Sequence, residues 1–379
     1  MSHYTNPIIH SPRIVIDGRA LLDRAPGGIQ LATIALVEAL AEHARGDFRV
    51  VFATRRGSIP PVPLPSVVIR RSNQMQLLAH AIGTGAFFDD MVEAHCGVRP
   101  SVVFAPTLQP IRLRSAPLVL VVHDCSFLRF PGWLRGKDRV WHALVHPRMV
   151  IQRATHILCP SQFTADELRY FLPATSSRIT VIPWGAPPNQ QIRNSKFEIR
   201  NSPYVVAMGT RHPRKNPKLL QELEGVLRGL NPTYRLVMLD PSRAVSEEQK
   251  WELLSGARAL VYPSFYEGFG FPPLEAMAAG VPVIAASGSA SAEVVGNAGV
   301  LVSPYAPEQW EKALGAVLTN EQLRTMLIER GRARIAQFSW QRCAEAVYEV
   351  LNYYAPSAHV NPISHNTNPM IQSHRYDSH

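Results

Sequence analysis

Residues 262–283 read YPSFYEGFGFPPLEAMAAGVPV and set two glutamates, Glu267 and Glu275, eight positions apart around glycines and a proline pair. The run just before them, ARALVYPS (257–264), is typical of a buried strand. The proline pair is suited to the first turn of a helix, which we expect to end at Gly280. The stretch therefore predicts a strand, a tight loop and a helix, which is the repeating unit of a parallel α/β fold.

The glycines of this loop leave room for a ligand. Gly268 and Gly270 flank Phe269 and let the backbone turn tightly, with amide groups able to approach a bound molecule. Open α/β sheets bind ligands at the carboxyl ends of their strands, where this loop would lie. We expect Glu267 in the loop and Glu275 in the first helical turn, with both carboxylates close to one small polar molecule. There they could act as an acid or base, bind a metal, or accept hydrogen bonds from hydroxyls. Alternatively, Glu275 only complements the helix dipole and Glu267 ends the strand in water.

Length and composition narrow the classes of protein. The chain has 379 residues, which favours two domains, and 46% of them are hydrophobic. No apolar run is long enough to span a bilayer, and no export signal opens the chain, so we expect a cytoplasmic protein. The four cysteines are far apart and are interpreted as reduced thiols. A net charge of +10 indicates an acidic partner: nucleic acid, an anionic membrane or a phosphorylated substrate.

The pattern of strands and helices occurs twice along the chain. β-Branched runs alternate with helical stretches in residues 1–185 and again in 203–338, which predicts two parallel sheets wound with helices. The polar stretch 186–202 is interpreted as the interdomain linker. Residues 355–379 are polar and patternless, and we expect them to be disordered.

A cation-rich loop, MGTRHPRKNP (208–217), follows the first strand of the second domain. Arg211, Arg214 and Lys215 would lie beside the start of a helix capped by Asn216. Fixed cations together with free helix amides make an anion site, and a diphosphate is the expected ligand. A solvated basic loop is the alternative interpretation. The spacing does not match a Walker A loop.

Taken together, these motifs resemble retaining glycosyltransferases of family 4. EGFGFPPLE resembles their E-x7-E signature, GTRHPRKN their phosphate loop, and HDCSFLRFP and VIPWG their amino-domain landmarks. The resemblance extends over about residues 13–354. It implies a GT-B fold of the α/β class, in which two Rossmann-like domains face each other across a cleft. It also implies that residues 339–354 form a helix that crosses back to pack on the amino domain.

The resemblance implies roles for particular residues. Arg214 and Lys215 would hold the donor diphosphate, Glu267 would contact the transferred sugar, and Glu275 would bind the ribose hydroxyls. His123 would touch the sugar from the amino domain, although a lone histidine at a strand end is as often structural. Further donor contacts are implied for Gly209, Arg211, Gly268, Phe269, Gly270 and, if they are not an ordinary tight turn, Gly27 and Gly28.

The resemblance also implies a reaction. The acceptor hydroxyl would attack the sugar from the side of the leaving phosphate, with neither a protein nucleophile nor a metal or other cofactor required. A nucleotide sugar would be the donor, with GDP-mannose preferred because the motifs resemble those of bacterial mannosyltransferases of polysaccharide synthesis. A saccharide or a lipid-linked saccharide would be the acceptor.

One departure from the family leaves a second function open. Only residues 241–256 separate the strand YRLVMLD from ARALVYPS, where the family usually has another strand and helix, so we expect a shortened carboxyl domain. The alternative function is a non-catalytic nucleotide-sugar binding protein with a degenerate GT-B site. Nucleic-acid binding is not expected, because no recognition motif accompanies the scattered cations. The E-x7-E turn argues against a phosphorylase or an epimerase.

The segment 130–149 combines tryptophans with basic residues. Trp133 and Trp141 alternate with Arg135, Lys137 and Arg139, a mixture suited to the surface of a membrane or to an anionic lipid-linked acceptor. Peripheral membrane contact is therefore a hypothesis. A helix with core tryptophans and solvated charges is the alternative.

Overall fold

The strands form two parallel sheets in a computed structural model that describes residues 13–22, 27–43, 48–53, 63–69, 85–134, 136–187, 203–209, 212–239 and 246–355. The amino-terminal strands are β1 (Ile14–Asp17), β2 (Phe48–Ala53), β3 (Ser66–Ile69), β4 (Val102–Ala105), β5 (Leu118–Val121), β6 (His156–Cys159) and β7 (Ile179–Val181). The carboxyl-terminal strands are β8 (Tyr204–Met208), β9 (Arg235–Leu239), β10 (Ala259–Tyr262), β11 (Val283–Ala286) and β12 (Val300–Val302).

The strand order in both sheets is that of a doubly wound fold. The first sheet runs β3-β2-β1-β4-β5-β6-β7 and the second runs β12-β11-β10-β8-β9, with every pair parallel. Central strands such as β1, β4 and β10 are buried along their whole length, because helices cover both faces of each sheet. This confirms the predicted α/β class with two Rossmann-like domains.

The helices lie between the strands along the chain. They are α1 (Gly28–His43), α2 (Phe88–Cys96), α3 (Ser126–Arg129), α4 (Gly136–Val145), α5 (Pro147–Arg153), α6 (Gln162–Phe171), α7 (Pro217–Leu230), α8 (Glu247–Ser255), α9 (Phe271–Ala278), α10 (Ala290–Val295), α11 (Pro307–Thr319), α12 (Glu321–Ile335) and α13 (Trp340–Tyr354). Short 3-10 turns occur at Gly18–Leu22, Pro131–Trp133, Pro173–Arg178, Pro213–Lys215 and Gly296–Ala298.

Polar side chains cap two helices, one of them at the predicted Asn216, and one predicted position is wrong. Ser161 caps α6 by accepting from the amide of Thr164, and Asn216 caps α7 by accepting from the amide of Leu219. Glu275, however, lies in the second turn of α9 and not in the first, because the helix already begins at Phe271. The helix can begin one residue before the proline pair because the amides that Pro272 and Pro273 lack would have no partner within the first turn.

The last helix returns to the amino domain. The buried side chains of Val347 and Leu351 on α13 belong to the same apolar core as β1, β2 and α1. At the crossing, the amide of Ala186 donates to the carbonyl of Phe338 at 3.2 Å. Gly185 is packed so closely that a Cβ atom there would lie 2.3 Å from the ring of Trp340. Both chain segments that join the domains therefore run side by side.

The predicted linker and tail lie mainly outside the described residues, whereas the cysteines and helices can be assigned. Most of the linker (186–202) and nearly all of the tail (355–379) lie outside the described residues. β9 is the last strand at its edge of the second sheet within the described part of the chain, in keeping with the short segment that follows it.

The four cysteines are free thiols, three of them buried. Across the described ranges, no helix is both long and apolar enough to cross a membrane.

Candidate active site

A buried ion pair joins the two predicted motifs of the carboxyl domain. Glu267 lies in the loop between β10 and α9, and its side chain is almost fully buried. Its Oε1 atom is 2.6 Å from Nζ of Lys215, which ends the 3-10 turn after β8. Nζ also donates to the hydroxyl of Tyr262 at 2.7 Å. Because β8 and β10 are neighbouring parallel strands, their carboxyl ends bring these side chains together.

The path of the lysine side chain depends on a glycine. Gly209 follows β8 with a φ of 71°, and a Cβ atom there would lie 2.9 Å from Cε of Lys215. The amide of Phe265 donates to the carbonyl of Arg214 at 2.7 Å, which ties the cation loop to the loop of Glu267. The two loops therefore form one unit at the edge of the sheet.

Burial and charge compete within this pair. Burial raises the pKa of Glu267, but the nearby cations of Lys215 and Arg214 outweigh burial and hold that pKa below its ordinary value. Burial likewise raises the pKa of Tyr262 well above its usual value, so its hydroxyl stays protonated. Burial also lowers the pKa of Lys215, and the charge of Glu267 opposes that effect. The ionised carboxylate of Glu267, at 2.6 Å from Nζ, favours the charged form of Lys215.

Arg214 extends the cationic surface towards the amino domain. Its Nη1 atom lies 3.8 Å from Oδ2 of Asp124, which follows β5 in the other domain. The charge of Glu267 raises the pKa of Arg214. Its Nε atom is buried and has no hydrogen-bond partner among the described residues. A buried donor of this kind is costly unless a ligand satisfies it.

The amino domain contributes a neutral histidine. His123 is half-buried, and its Nε2 atom lies 2.8 Å from the carbonyl oxygen of Pro106. A carbonyl only accepts, so Nε2 carries the proton. Burial lowers the pKa of His123, which keeps the ring neutral and leaves Nδ1 as an acceptor.

The glycine loop packs closely against the amino domain. A Cβ atom on Gly268 would lie 1.9 Å from the carbonyl oxygen of His123, so only glycine allows this approach. The side chain of Phe269 is buried and packs against Phe271 and Phe338. Phe269 can therefore meet a ligand through its backbone, but its ring belongs to the core.

Glu275 does not share a partner with Glu267. Oε1 of Glu275 is 2.8 Å from Nζ of Lys250 on α8, and Lys250 also pairs with Glu247 at 2.7 Å. Each glutamate thus has its own lysine, and the expected convergence of both carboxylates on one group is not seen among the described side chains. The sequence carried no signal for Lys250, because its contact with Glu275 spans 25 positions.

The glycine pair of the amino domain lies opposite α9. Gly28 begins α1, and a Cβ atom on it would meet only the ring of Phe271, at 3.9 Å. Gly27 has no neighbour within 4 Å of the corresponding position, in the described part of the molecule. The open space beside the start of α1 is compatible with a ligand, and the contact of Gly27 and Gly28 with the donor stays a prediction.

Two further predictions concern Arg211 and metal binding. Arg211 lies outside the described residues, so its proposed contact with phosphate stays a prediction. Within the described ranges, no group of three or more histidine, cysteine or acidic side chains could hold a metal ion. The positive charge of this site comes from arginine and lysine.

Three comparisons relate the chain to known proteins. The family model described as Glycosyltransferase Family 4 matches residues 26–190, and the model described as Glycosyl transferases group 1 matches residues 242–334. O-antigen chain mannosyltransferase B of Escherichia coli is 29% identical over 267 residues, which are 62% of this chain and 69% of that protein.

A second relative and a solved structure agree with these matches. MMP alpha-(1->4)-mannosyltransferase of Mycolicibacterium hassiacum is 29% identical over 268 residues, covering 62% of this chain and 65% of that protein. The structure of Anabaena HepE in complex with UDP and glucose has a TM-score of 0.58 and 18% identity, covering 90% of this chain and 100% of that one. The chain is a glycosyltransferase with the GT-B fold and belongs to the family 4 type.

Proposed function

We propose that this protein transfers a hexose, with mannose preferred, from a nucleoside diphosphate sugar to a saccharide or lipid-linked saccharide, with retention of configuration. The observation that carries the proposal is the buried cluster of Lys215, Glu267 and Tyr262 at the carboxyl edge of the second sheet. The ammonium group of Lys215 has three protons, and two of them are used by Glu267 and Tyr262. The third is available for a phosphate oxygen.

Arg214 would complete the diphosphate site. Its partly exposed guanidinium group lies beside Lys215, and its buried Nε donor needs an acceptor. Together the two cations would stabilise the charge that develops on the leaving diphosphate. Arg211 and the backbone around Gly209 and Gly270 would add contacts to the phosphates, and Glu275 would accept hydrogen bonds from the ribose.

Glu267 and His123 would hold the sugar from opposite domains. The second carboxylate oxygen of Glu267 can accept from a sugar hydroxyl while Oε1 stays with Lys215. The neutral Nδ1 atom of His123 can accept from another hydroxyl. These two acceptors would fix the anomeric carbon relative to the diphosphate, which is how positioning accelerates a reaction.

The reaction would need no covalent intermediate with the protein. The bond between the anomeric carbon and the diphosphate oxygen breaks, and the acceptor oxygen forms its bond on the same face. The proton of the acceptor hydroxyl passes to the leaving phosphate oxygen. Glu267 is held by Lys215, so its role in this mechanism is to orient the sugar and not to attack it.

The donor and the acceptor are proposed from the comparisons. Two relatives are named as mannosyltransferases, which supports mannose, and the Escherichia coli relative acts on an O-antigen chain by its name. HepE was solved with UDP and glucose, so UDP-sugars are tested beside GDP-mannose.

The test is release of nucleoside diphosphate from GDP-, UDP-, ADP- and dTDP-sugars in the presence of saccharide acceptors. We expect release from one donor, and we expect Glu267→Gln and Lys215→Ala to abolish it. The matched control is Lys218→Ala, which removes a lysine three residues further on whose side chain is 88% exposed. NMR of the product should show the anomeric configuration of the donor, and inversion would contradict the proposed mechanism.

The carboxyl sheet has five strands in the described part of the chain, which favours one other function. A domain that lacks a strand and helix could bind a nucleotide sugar without turning it over. Donor binding by calorimetry without product release would support this non-catalytic alternative.

Peripheral membrane contact is also part of the proposal. Lys137 and Arg139 on α4 are exposed beside Val140, which is 60% exposed. The ring of Trp133 stacks on Phe130 and is not free to enter a membrane, so Lys137, Arg139 and Val140 would make the contact with the lipid surface. Flotation with anionic vesicles should carry the protein upwards, and flotation equal to that with neutral vesicles would contradict the idea.

A further inference from the structure

Glu293 joins the two domains at the first turn of α6. It lies on α10 in the carboxyl domain, and its Oε2 atom accepts from the amide of Gln162 at 2.8 Å. The other carboxylate oxygen accepts from the amide of Phe163. Amides in the first turn of a helix have no partner within the helix, and a carboxylate is the group that they and the helix dipole favour.

The same helical turn also holds the loop of Glu267. The carbonyl of Gly268 accepts from the hydroxyl of Ser161 at 2.7 Å and from that of Thr164 at 3.0 Å. On the other side of Glu267, the hydroxyl of Tyr266 accepts from the amide of Cys125 at 3.0 Å. Both neighbours of Glu267 in the sequence are therefore bonded to the amino domain.

The helix that carries Glu293 is itself linked to Glu267. The amide of Ala290, which begins α10, donates to the carbonyl of Glu267 at 3.3 Å. Arg334 on α12 holds the other end of α10, since its guanidinium group donates to the carbonyls of Glu293 and Val294. The carboxylate of Glu293 thus extends from an element that is fixed within the carboxyl domain.

We propose that Glu293 is a positioning residue for the proposed sugar transfer. By binding the first turn of α6, it holds that turn of the amino domain against the loop of Glu267 and so keeps the loop in place. This inference rests on the proposed function. Lys215 and Arg214 lie on the other loop and do not contact Glu293 in the described structure. The two loops are bonded through Phe265 and Arg214, but only the loop of Glu267 is held by the turn that Glu293 binds. Loss of the carboxylate should therefore disturb the sugar contact of Glu267 more than the diphosphate contact of Lys215 and Arg214.

The test compares two ligands in variants of the whole protein. Glu293→Gln replaces one carboxylate oxygen by an amide group that cannot accept from the helix. Ser161→Ala removes a bond to Gly268 directly, together with the cap of α6, and provides a second perturbation of the same turn. Glu308→Gln is the matched control, because Glu308 is an exposed carboxylate in the first turn of α11 and makes no contact between domains in the described residues.

Calorimetry would use the nucleoside diphosphate and the nucleotide sugar that the wild type turns over. In both test variants we expect the affinity for the nucleoside diphosphate to stay within about twofold of the wild type. We expect kcat, and the affinity for the nucleotide sugar relative to that for the nucleoside diphosphate, to fall about tenfold or more. The control should match the wild type. Melting temperatures would be recorded for every variant.

Each contrary result has its own meaning. Equal losses of affinity for both ligands would show a merely structural role and overturn the inference, as would an unchanged kcat in Glu293→Gln. If the wild type binds no nucleotide sugar at all, the proposed function fails, and the inference fails with it.

Discussion

Replacing Gly268 by alanine should damage the active site without changing any charge or hydrogen-bonding group. The added Cβ atom would lie 1.9 Å from the carbonyl oxygen of His123 and 2.6 Å from Cβ of Asp124. Real contacts of a Cβ atom are almost never closer than 3.0 Å. The loop would have to move by about 1 Å, which can cost on the order of 100-fold in rate when it misplaces a catalytic group.

The expected result for Gly268→Ala is therefore a loss of about 100-fold in kcat/KM, or about 2.7 kcal/mol of transition-state stabilisation. The assay is the rate of nucleoside diphosphate release with the donor identified above, at varied donor concentration. Because Gly268 neighbours Glu267 and not the cation loop, the binding of nucleoside diphosphate alone should change much less.

A matched glycine gives the control. Gly225 lies within α7, and a Cβ atom on it would have no neighbour within 4 Å in the described structure. Gly225→Ala should leave activity unchanged and raise the free energy of unfolding by about 0.5–1 kcal/mol, because alanine favours the helix. If Gly268→Ala kept the kcat/KM of the wild type, the reasoning that this close approach fixes Glu267 would be refuted.

Three further predictions concern stability, measured by urea unfolding. Lys215→Ala leaves Glu267 buried without its partner and should cost about 3–5 kcal/mol, and a loss below 1 kcal/mol would mean that the pair is not formed. Asn216→Ala removes the cap of α7 and a buried bond to the carbonyl of Pro304, and it places alanine at a φ of 55°, so it should cost at least about 1 kcal/mol, whereas no loss would argue against this cap. Burial lowers the pKa of His156 to about 4, below its ordinary value near 6.5. The free energy of unfolding should therefore be constant in this respect above pH 6.5 and should fall as pH drops from 6.5 towards 4, by about 3 kcal/mol in total. His156→Gln should remove that part of the pH dependence, and an unchanged slope would contradict the assignment.

The local features of this chain could be predicted because they depend on neighbours in the sequence. The apolar run before residue 262 predicts a buried strand, and it forms β10. Ser161 and Asn216 are caps because a short polar side chain can reach an amide three positions ahead. The one error in placement is equally local, since α9 begins one residue before the proline pair and Glu275 therefore lies in the second turn.

The pairing of the charged groups was decided only by the tertiary structure. Lys215 and Glu267 are 52 positions apart, and they meet because β8 and β10 are adjacent in the sheet. Nothing near Glu275 indicated Lys250, which comes from a helix on another part of the domain. Glu293 lies 131 positions from the helix that it caps. A sequence shows which groups can ionise or donate, but their partners depend on distances that exist only once the sheets and helices have packed.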